Sequence, residues 1–398
     1  MTSRHRSAAV ATLLTLTLSA PLLGAAPAVS VGTEQAAPRA QYSSGLELPP
    51  LTGPYPVGRR TLHLVDRNRT DPWVPTADGR ELMVTVAYPA RSARGLPAAY
   101  MTDEEAQLLL EARGLGGVVP RETVAGARTR AHVGARPAPG HFPLVLLSPG
   151  FSMPRTTLTS LADDLASRGY VVASVDHAYE SVGTAFPGGR TLTCVACDRV
   201  GTQEEQAAVV RGRAKDMSFV ISELTSGRRA GALSHVIDRS RIGIGGHSIG
   251  GATAAATMAA DRRVRAGVDL DGDFFLHPAA AGLGRRPFMM LGTESTHSPS
   301  NRTSDWPEAW KHLNGWKRWF TVAGAEHFSF TDLPYLAGQL GLSDPDVPLS
   351  GERGWRITRD YVSAFFDLHL RSIAQPLLDG PTATHPEVAP YPAGRVVR

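Results

Sequence analysis

The chain of 398 residues contains little cysteine, no dense cluster of basic residues, and no long apolar run beyond its N-terminal segment. A membrane-spanning helix needs about 20 consecutive apolar residues, so the sequence predicts no transmembrane segment there. The net charge of +4 comes from 41 basic and 37 acidic residues. Because nucleic-acid binding usually needs a concentrated basic surface, we expect no such partner. With 42% hydrophobic and 20% charged residues, the composition is typical of a globular protein.

The two cysteines, Cys194 and Cys197, lie in the loop-like stretch Thr193-Cys-Val-Ala-Cys-Asp198. No further cysteine or histidine lies at the short spacing of a metal site, so we expect neither a metal nor another cofactor. Thioredoxin-like redox chemistry would require a βαβ unit beginning around the pair, and the sequence does not show one. In an exported protein, a local disulfide is the expected state of these cysteines.

The N-terminus has the three parts of an export signal. Basic residues in Met1-Thr-Ser-Arg-His-Arg6 precede the apolar segment 8–20, and an Ala-x-Ala pattern follows at Ala26-Pro-Ala28. The apolar segment is too short to span a bilayer, so we expect cleavage after about Ala28 and a secreted protein, with an uncleaved anchor as the alternative. Residues 29–56 are rich in alanine, proline and glycine and predict a linker or an N-terminal wrap. We expect residues 57–398 to form one catalytic domain with insertions.

Apolar periodicity predicts the order of the elements in this domain. Residues 59–66 and 81–89 predict an antiparallel pair of strands, and Asp103–Arg113 predicts a helix with Thr102 as its N-cap. Beyond residue 141, continuous apolar strands alternate with helices, which favours an α/β fold with a mostly parallel sheet covered on both faces. The predicted strands are 142–147, 170–175, 241–245, 264–270, 287–291 and 316–323, and the predicted helices are 157–167, 203–224, one after Ser248, and 359–373.

The stretch Gly246-His-Ser-Ile-Gly250 fits the pattern G-x-S-x-G between a predicted strand and a predicted helix. In such a turn the serine adopts strained backbone angles, and its neighbours must lack side chains to avoid collision. Ser248 is therefore the candidate nucleophile. The helix that follows it directs its first N–H groups toward an oxyanion formed at this position.

A serine nucleophile needs a histidine base and an acid that orients the base. In this arrangement the chain order is serine, acid, histidine. The strand 264–270 delivers Asp271 to its carboxyl end, while Asp269 within the strand and Asp273 in the loop are weaker candidates that stay open. His327 follows the last predicted core strand and is the candidate base.

Other histidines fit these positions less well. His277, His297, His312 and His369 have no comparable position, and we interpret them as surface or satisfied structural histidines. His177 follows a strand but precedes the serine, so we assign it only a role in lining the pocket. The oxyanion hole needs a second backbone donor from Ser148-Pro-Gly-Phe-Ser152. Because Pro149 has no N–H, Phe151 is the expected donor beside Ile249.

These motifs resemble the plasma-type platelet-activating factor acetylhydrolases. The resemblance rests on Phe142-Pro-Leu-Val-Leu-Leu-Ser-Pro-Gly-Phe151, the segment 164–177, Gly246-His-Ser-Ile-Gly-Gly251 and Asp269-Leu-Asp271, and it extends from about residue 51 to the C-terminal helix. It implies an α/β-hydrolase fold and a calcium-independent serine esterase that removes short or oxidised acyl groups from phospholipids. It also implies the triad Ser248, Asp271 and His327, because Asp271 stands 23 residues after Ser248.

The sequence thus predicts a secreted carboxylester hydrolase that acts on a small-molecule or lipid ester, with contact to a lipid surface as a further expectation. Alternatives are a polyester hydrolase of the cutinase type, a lipase or a peptidase, since groove depth separates these and is not encoded in a motif. A non-catalytic binding protein on a hydrolase fold is the alternative from another class. It is disfavoured because candidates for all three catalytic roles are present in order.

Overall fold

The computed structural model of the protein describes residues 45–226, 229–276 and 282–391. The expected export signal, residues 29–44 of the expected linker, and His277 lie outside these ranges. Residues 45–56 precede the first strand.

A sheet of eleven strands forms the centre of the fold. Six neighbouring strands, in the order β12-β11-β10-β9-β5-β6, are parallel. Strand β13 extends the sheet antiparallel to β12, and β2, β1, β4 and β3 continue it beyond β6. The sheet strands are β1 (Val57–Asp66), β2 (Arg80–Pro89), β3 (Leu96–Pro97), β4 (Ala131–Val133), β5 (Phe142–Ser148), β6 (Val171–His177), β9 (Ile237–His247), β10 (Val264–Leu270), β11 (Phe288–Thr293), β12 (Lys317–Val322) and β13 (Val388–Tyr391), and β7 (Thr184–Phe186) and β8 (Arg190–Leu192) form a separate hairpin.

Helices lie on both faces of the sheet, which confirms the predicted α/β class. They are α1 (Asp103–Ala112), α2 (Arg121–Ala125), α3 (Thr159–Ser167), α4 (Gln203–Ser226), α5 (Ile249–Ala260), α6 (Glu294–His297), α7 (Trp306–His312), α8 (Leu333–Gln339) and α9 (Gly351–Arg371).

Two apolar cores separate the helices into layers. Successive residues of β5 point to opposite faces, so Leu144 packs with α4 and α5 on one side while Val145 packs with α3 and α9 on the other. The continuous apolar runs of the sequence follow from this burial of both faces. The arrangement places the carboxyl ends of β5, β9, β10 and β12 at a common edge.

The predicted antiparallel strands and the first helix are confirmed. Strand β1 pairs with β2 from Val57 opposite Pro89 to Asp66 opposite Arg80. Helix α1 begins with a capping box in which Thr102 accepts from the N–H of Glu105, and the Glu105 side chain accepts from the N–H of Thr102.

Several short elements were not predicted, namely β3, β4, β7, β8, α2, α6, α7 and α8, and two longer differences have a physical reason. Helix α9 begins at Gly351, eight residues before the predicted start, because Ser350 caps the first turn by accepting from the N–H of Arg353; the glycines in that turn hide it in the sequence. Strand β13 was not predicted because it contains Pro390. A proline is compatible with an edge strand, and β13 is at the edge of the sheet.

The described residues contain neither a membrane-spanning helix nor a cluster of metal ligands. No helix within residues 45–226, 229–276 and 282–391 is both long and apolar enough to cross a membrane. No group of three or more histidine, cysteine, aspartate or glutamate side chains in the same ranges is arranged to hold a metal ion.

Candidate active site

Ser248 lies in a sharp turn between β9, which ends at His247, and α5, which begins at Ile249. Its backbone angles, φ 57° and ψ −129°, are sparsely populated by residues with side chains and are typical of functional turns. The neighbouring glycines are required by close contacts. A Cβ on Gly250 would lie 2.1 Å from the carbonyl oxygen of Ser148, and one on Gly246 would lie 2.3 Å from the carbonyl carbon of Gly250. The turn thus holds Ser248, half-buried, at the carboxyl edge of the sheet.

Asp271 is the first residue after β10. Its backbone N–H donates to the carbonyl oxygen of Leu291 at 3.0 Å, and its Oδ1 accepts from the N–H of Thr293 at 2.6 Å. Both contacts come from β11, so the neighbouring strand fixes the carboxylate. The side chain is fully buried.

His327 stands in a single helical turn after β12 and reaches Asp271. Its Nδ1 lies 2.7 Å from Oδ2 of Asp271, and because an ionised carboxylate only accepts hydrogen bonds, Nδ1 carries the proton. The other nitrogen, Nε2, then presents a lone pair. The side chain of His327 is 40% exposed, which leaves this nitrogen accessible. Within the described residues no hydrogen bond joins His327 to the Ser248 hydroxyl, and such bonds often tighten only when substrate binds.

A second histidine contacts the same carboxylate. Nδ1 of His297 lies 2.8 Å from Oδ1 of Asp271, and its ring stacks on Trp306 with centroids 4.2 Å apart. Burial favours the neutral imidazole, but hydrogen bonds to Asp271 and Asp273 and the nearby carboxylates raise the pKa of His297 to about 9. His297 is therefore a cation at neutral pH.

The two histidines keep Asp271 ionised. Burial acts to raise the pKa of Asp271, but hydrogen bonds from His297 and His327, together with the positive charge of His297, lower it below its ordinary value. Asp271 therefore remains an anion that can orient one histidine and pair with the other.

His247, which directly precedes the serine in the G-x-S-x-G pattern, links the turn of Ser248 to the turn of His327 by a hydrogen bond. Its Nε2 donates to the carbonyl oxygen of His327 at 2.7 Å, and the two rings lie 4.5 Å apart. Burial lowers the pKa of His247 to about 3, so it is neutral at neutral pH. Sequence reasoning missed this residue and the contact of His297. Only the position of His247 beside the nucleophile could have indicated it.

The rival acids do not contact His327. The Oδ1 of Asp269 accepts from the N–H of Gly272 at 3.0 Å, and burial raises the pKa of Asp269 well above its usual value. Asp273 lies on the far side of His297, with its Oδ1 3.4 Å from Nε2. The structure thus brings Asp271, and neither alternative, to the base.

The side chains of the two expected oxyanion donors meet in one apolar cluster, which contains Ile249 and against which Phe151 packs. Within the described ranges, neither backbone N–H donates to another protein group. The first N–H groups of a helix have no partner within the helix, so Ile249 presents its N–H at the start of α5. The same cluster contains Val209, and the apolar side chains of Trp73, Val200, Phe275 and Leu276 pack against it.

Three further histidines of the prediction lie elsewhere. His312 is bonded to Glu308 in α7, and His369 packs against Trp316. His177 does not line a pocket mouth as we expected. It is 2% exposed because it ends the buried strand β6, and it bonds to Ser148 and Asp216 instead.

Cys194 and Cys197 are joined by an S–S bond of 2.06 Å. The turn that they close bonds to the loop after β6, because the N–H of Ala196 donates to the carbonyl oxygen of Tyr179 at 3.0 Å.

Comparison with known proteins places this site in a family. A profile described as "Platelet-activating factor acetylhydrolase, isoform II" matches residues 40–187 and 215–343. A probable 1-alkyl-2-acetylglycerophosphocholine esterase from Arthroderma benhamiae is 27% identical over 385 residues, which is 87% of this chain and 94% of that protein. The platelet-activating factor acetylhydrolase of Cavia porcellus is 26% identical over 50% of each chain.

A solved structure extends the comparison. The ferulic acid esterase from Streptomyces cinnamoneus is 45% identical, with a TM-score of 0.77, and the match covers 87% of this chain and 100% of that one. The chain therefore belongs to the platelet-activating factor acetylhydrolase isoform II family and is an α/β-hydrolase that acts on ester bonds.

Proposed function

We propose that the protein is a secreted, serine-dependent carboxylester hydrolase that removes short acyl groups through an acyl-enzyme. The observation that carries this proposal is the hydrogen bond of 2.7 Å between His327 and the buried Asp271, at the sheet edge that also holds the strained turn of Ser248. A strained serine, an oriented imidazole and an ionised acid are the parts that nucleophilic ester hydrolysis requires.

In the first half of the reaction, Oγ of Ser248 attacks the ester carbonyl carbon while Nε2 of His327 takes the hydroxyl proton. The N–H groups of Phe151 and Ile249 stabilise the negative oxygen of the tetrahedral intermediate. The bond from carbon to the alcohol oxygen then breaks, and His327 returns the proton to the departing alcohol. The product is an acyl-enzyme on Ser248.

In the second half, water replaces the alcohol. His327 takes a proton from the water as its oxygen attacks the acyl carbon, and the same donors hold the second oxyanion. The bond from carbon to Oγ breaks, the proton returns to Ser248, and the carboxylic acid leaves. Asp271 holds the imidazole in one tautomer throughout.

An apolar cavity of about 550 Å³ supports a lipid-like or otherwise apolar ester. Its lining includes Glu326 and Phe328, which flank His327 in the chain, and is otherwise dominated by leucines, several of them from α1 and α8. This volume is within the range of small-molecule pockets. Such a cavity suits the aliphatic chain of an ester whose carbonyl lies at Ser248.

The sequence supports export. The basic start, the apolar segment and the Ala-x-Ala pattern ending at Ala28 have the order of a cleaved signal, and a bond between Cys194 and Cys197 suits an oxidising compartment. We therefore place the mature catalytic domain outside the cytoplasm, from about residue 57 onward. Contact with a lipid surface stays a prediction.

A chain-length series of p-nitrophenyl esters from acetate to palmitate tests the proposal, with Ser248→Ala as the matched variant. We expect the highest kcat/KM at acetate and a loss of at least about a thousandfold in Ser248→Ala. A folded protein that hydrolyses none of these esters, or a Ser248→Ala variant as active as the parent, would exclude the mechanism.

Hydrolysis of a ferulate ester is the second candidate, favoured by the 45% identity to the ferulic acid esterase. Comparing kcat/KM for an alkyl ferulate and for a phospholipid with an acetyl group at its second position decides between the two. We expect kcat/KM for the preferred substrate to exceed that for the other by an order of magnitude or more. One pocket rarely fits a flat aromatic acyl group and an acetyl group equally well.

A further inference from the structure

A second Ser–His–Asp array is buried at the start of the expected oxyanion loop, residues 149–152. Oγ of Ser148 lies 3.0 Å from Nε2 of His177, and Nδ1 of His177 lies 2.8 Å from Oδ2 of Asp216. Ser148 and Asp216 are 0% exposed and His177 is 2% exposed. No ester can reach a hydroxyl with this burial, so the array does not act on substrate.

The protonation of the array follows from its surroundings. Burial, and then the positive charge of Arg213, lower the pKa of His177 despite its contact with Asp216, so the imidazole is neutral. Because the carboxylate of Asp216 only accepts, Nδ1 carries the proton and Nε2 accepts from the Ser148 hydroxyl. Burial acts to raise the pKa of Asp216, but Arg80 and His177 lower it below its ordinary value, which keeps it ionised.

The array continues into the loop that it supports. Nη1 of Arg213 donates to the carbonyl oxygen of Pro149 at 2.7 Å, and Nε of Arg213 donates to Glu180 at 2.7 Å. Glu180 also accepts from Arg80, which bonds to Asp216. One buried network therefore binds the start of the oxyanion loop.

The end of the same loop is fixed as well. The N–H of Ser152 donates to the carbonyl oxygen of Glu180 at 3.0 Å, and the carbonyl oxygen of Ser152 accepts from the N–H of Val182 at 2.9 Å. Ser152 holds a positive φ of 64°, which a residue with a side chain adopts only when its surroundings enforce it. Between the two fixed points lie only Gly150 and Phe151.

We propose that Arg213, His177 and Ser148 are positioning residues for the oxyanion hole: they fix the loop 149–152 so that the N–H of Phe151 is aimed before substrate binds. This inference rests on the proposed function. Oxyanion donors act only if they are correctly placed in advance, and a displacement of about 1 Å can cost about a hundredfold in rate. Burying several ionic groups costs desolvation free energy. The need to fix the backbone of this loop gives a reason for that cost.

The test is Arg213→Lys, with Arg69→Lys as the matched control. A lysine at position 213 keeps the charge, but its single ammonium cannot reproduce the fork that bonds both Glu180 and Pro149. Arg69 donates to Asp216 in the same network at 2.6 Å and has no hydrogen bond to the loop. We measure kcat, KM, Tm and the affinity for phenylboronic acid, which forms a tetrahedral adduct with an active-site serine.

We expect kcat of Arg213→Lys to fall about tenfold to a hundredfold, with KM within twofold and the boronate affinity reduced along with kcat/KM. Arg69→Lys should lower Tm but keep kcat and boronate affinity within twofold. An unchanged kcat in folded Arg213→Lys overturns the inference, as does a fall in kcat with full boronate affinity. An equal loss of kcat in Arg69→Lys also overturns it, because the effect then reflects general destabilisation.

Ser148→Ala provides the test if Arg213→Lys does not fold, because it removes one oxygen atom and no charge. A fall in kcat of about fivefold to tenfold with a matching loss of boronate affinity supports the inference, and parental values of both oppose it. Ser248→Ala is run in the same assay. If that variant is as active as the parent, the proposed function itself fails, whatever the result at position 213.

Discussion

Two Ser–His–Asp trios, whose serines lie at the carboxyl ends of the neighbouring strands β5 and β9, have opposite surroundings. Ser148 is the register partner of Gly246, so it lies beside the strand that leads to Ser248. The side chain of His177 is 0% exposed and that of His327 is 40% exposed. Ser148 ends a regular strand, whereas Ser248 occupies a strained turn that opens a helix.

The charges around the two acids differ as well. Asp216 faces the guanidinium groups of Arg80 and Arg69, whereas Asp271 faces two histidines. An arginine stays charged at any ordinary pH, but a histidine exchanges its proton near neutrality. A hydrogen-bonded Ser–His–Asp trio is therefore not enough for catalysis. The serine must also be accessible, and its turn must leave N–H groups free.

The comparison is tested most strongly by removing the charge from each acid in turn. Asp271→Asn should lower kcat about ten-thousandfold, as the same change does in other serine hydrolases, because the amide can hold the imidazole in the wrong tautomer. Asparagine tolerates the positive φ of 57° at this position, so the fold should persist. The measurement is kcat on p-nitrophenyl acetate.

Asp216→Asn should act mainly on stability. It removes one of the three carboxylates that pair with the buried Arg80. Breaking a buried ion pair costs at most about 3 to 5 kcal/mol, and urea unfolding measures the loss. The distinction between the arrays fails if Asp271→Asn retains kcat within tenfold of the parent, or if Asp216→Asn leaves the free energy of unfolding unchanged.

The next effect concerns the cation His297, which contacts the accessible trio of Ser248, Asp271 and His327. The folded-state pKa of His297, about 9, is above its ordinary value of 6.5, so its stabilising contribution is full below about pH 6.5 and is lost as pH rises through 9. The size of this contribution is roughly 3 kcal/mol. His297→Asn keeps a donor near Nδ1 without the charge, so its free energy of unfolding should change less over this range.

The same variant should alter catalysis at low pH. The cation at position 297 offsets the negative charge of Asp271, so without it the acid limb of the kcat/KM profile should move to higher pH. His297→Phe, which keeps a ring to stack on Trp306, is the control for packing and should show the same movement. An acid limb that stays in place in both variants would contradict the role of the charge.

The trio of Ser248, Asp271 and His327 was predictable because each of its residues has a local signal in the sequence. The glycines around Ser248 indicate the turn, and the ends of the apolar strands before Asp271 and His327 indicate the common edge. His297 was interpreted as a surface or structural histidine because nothing local indicates that it contacts an acid 26 residues earlier.

The buried array has no such signal. Ser148, His177 and Asp216 are separated by 29 and 39 residues, and a single aspartate in a helix normally predicts a solvated face. Only the packing of α4 against the ends of β5 and β6 brings them together. The fold class follows from periodicity, but contacts across the sheet depend on helix placement, which periodicity does not specify.

The smallest effect on activity is expected from removal of the disulfide. Its turn contacts the loop after β6, the strand that ends at His177 of the buried array. The bond between Cys194 and Cys197 closes a loop of four residues, and loop entropy for this length stabilises the fold by about 2 kcal/mol at most. The double variant Cys194→Ser/Cys197→Ser should therefore lower Tm by a few degrees. Its turn contacts Tyr179, next to Glu180, but the charged contacts that fix the oxyanion loop come from α4 and β2, so kcat should stay within twofold of the parent. A tenfold loss of kcat at an unchanged Tm would show that this turn, rather than the buried ionic network, aligns the loop.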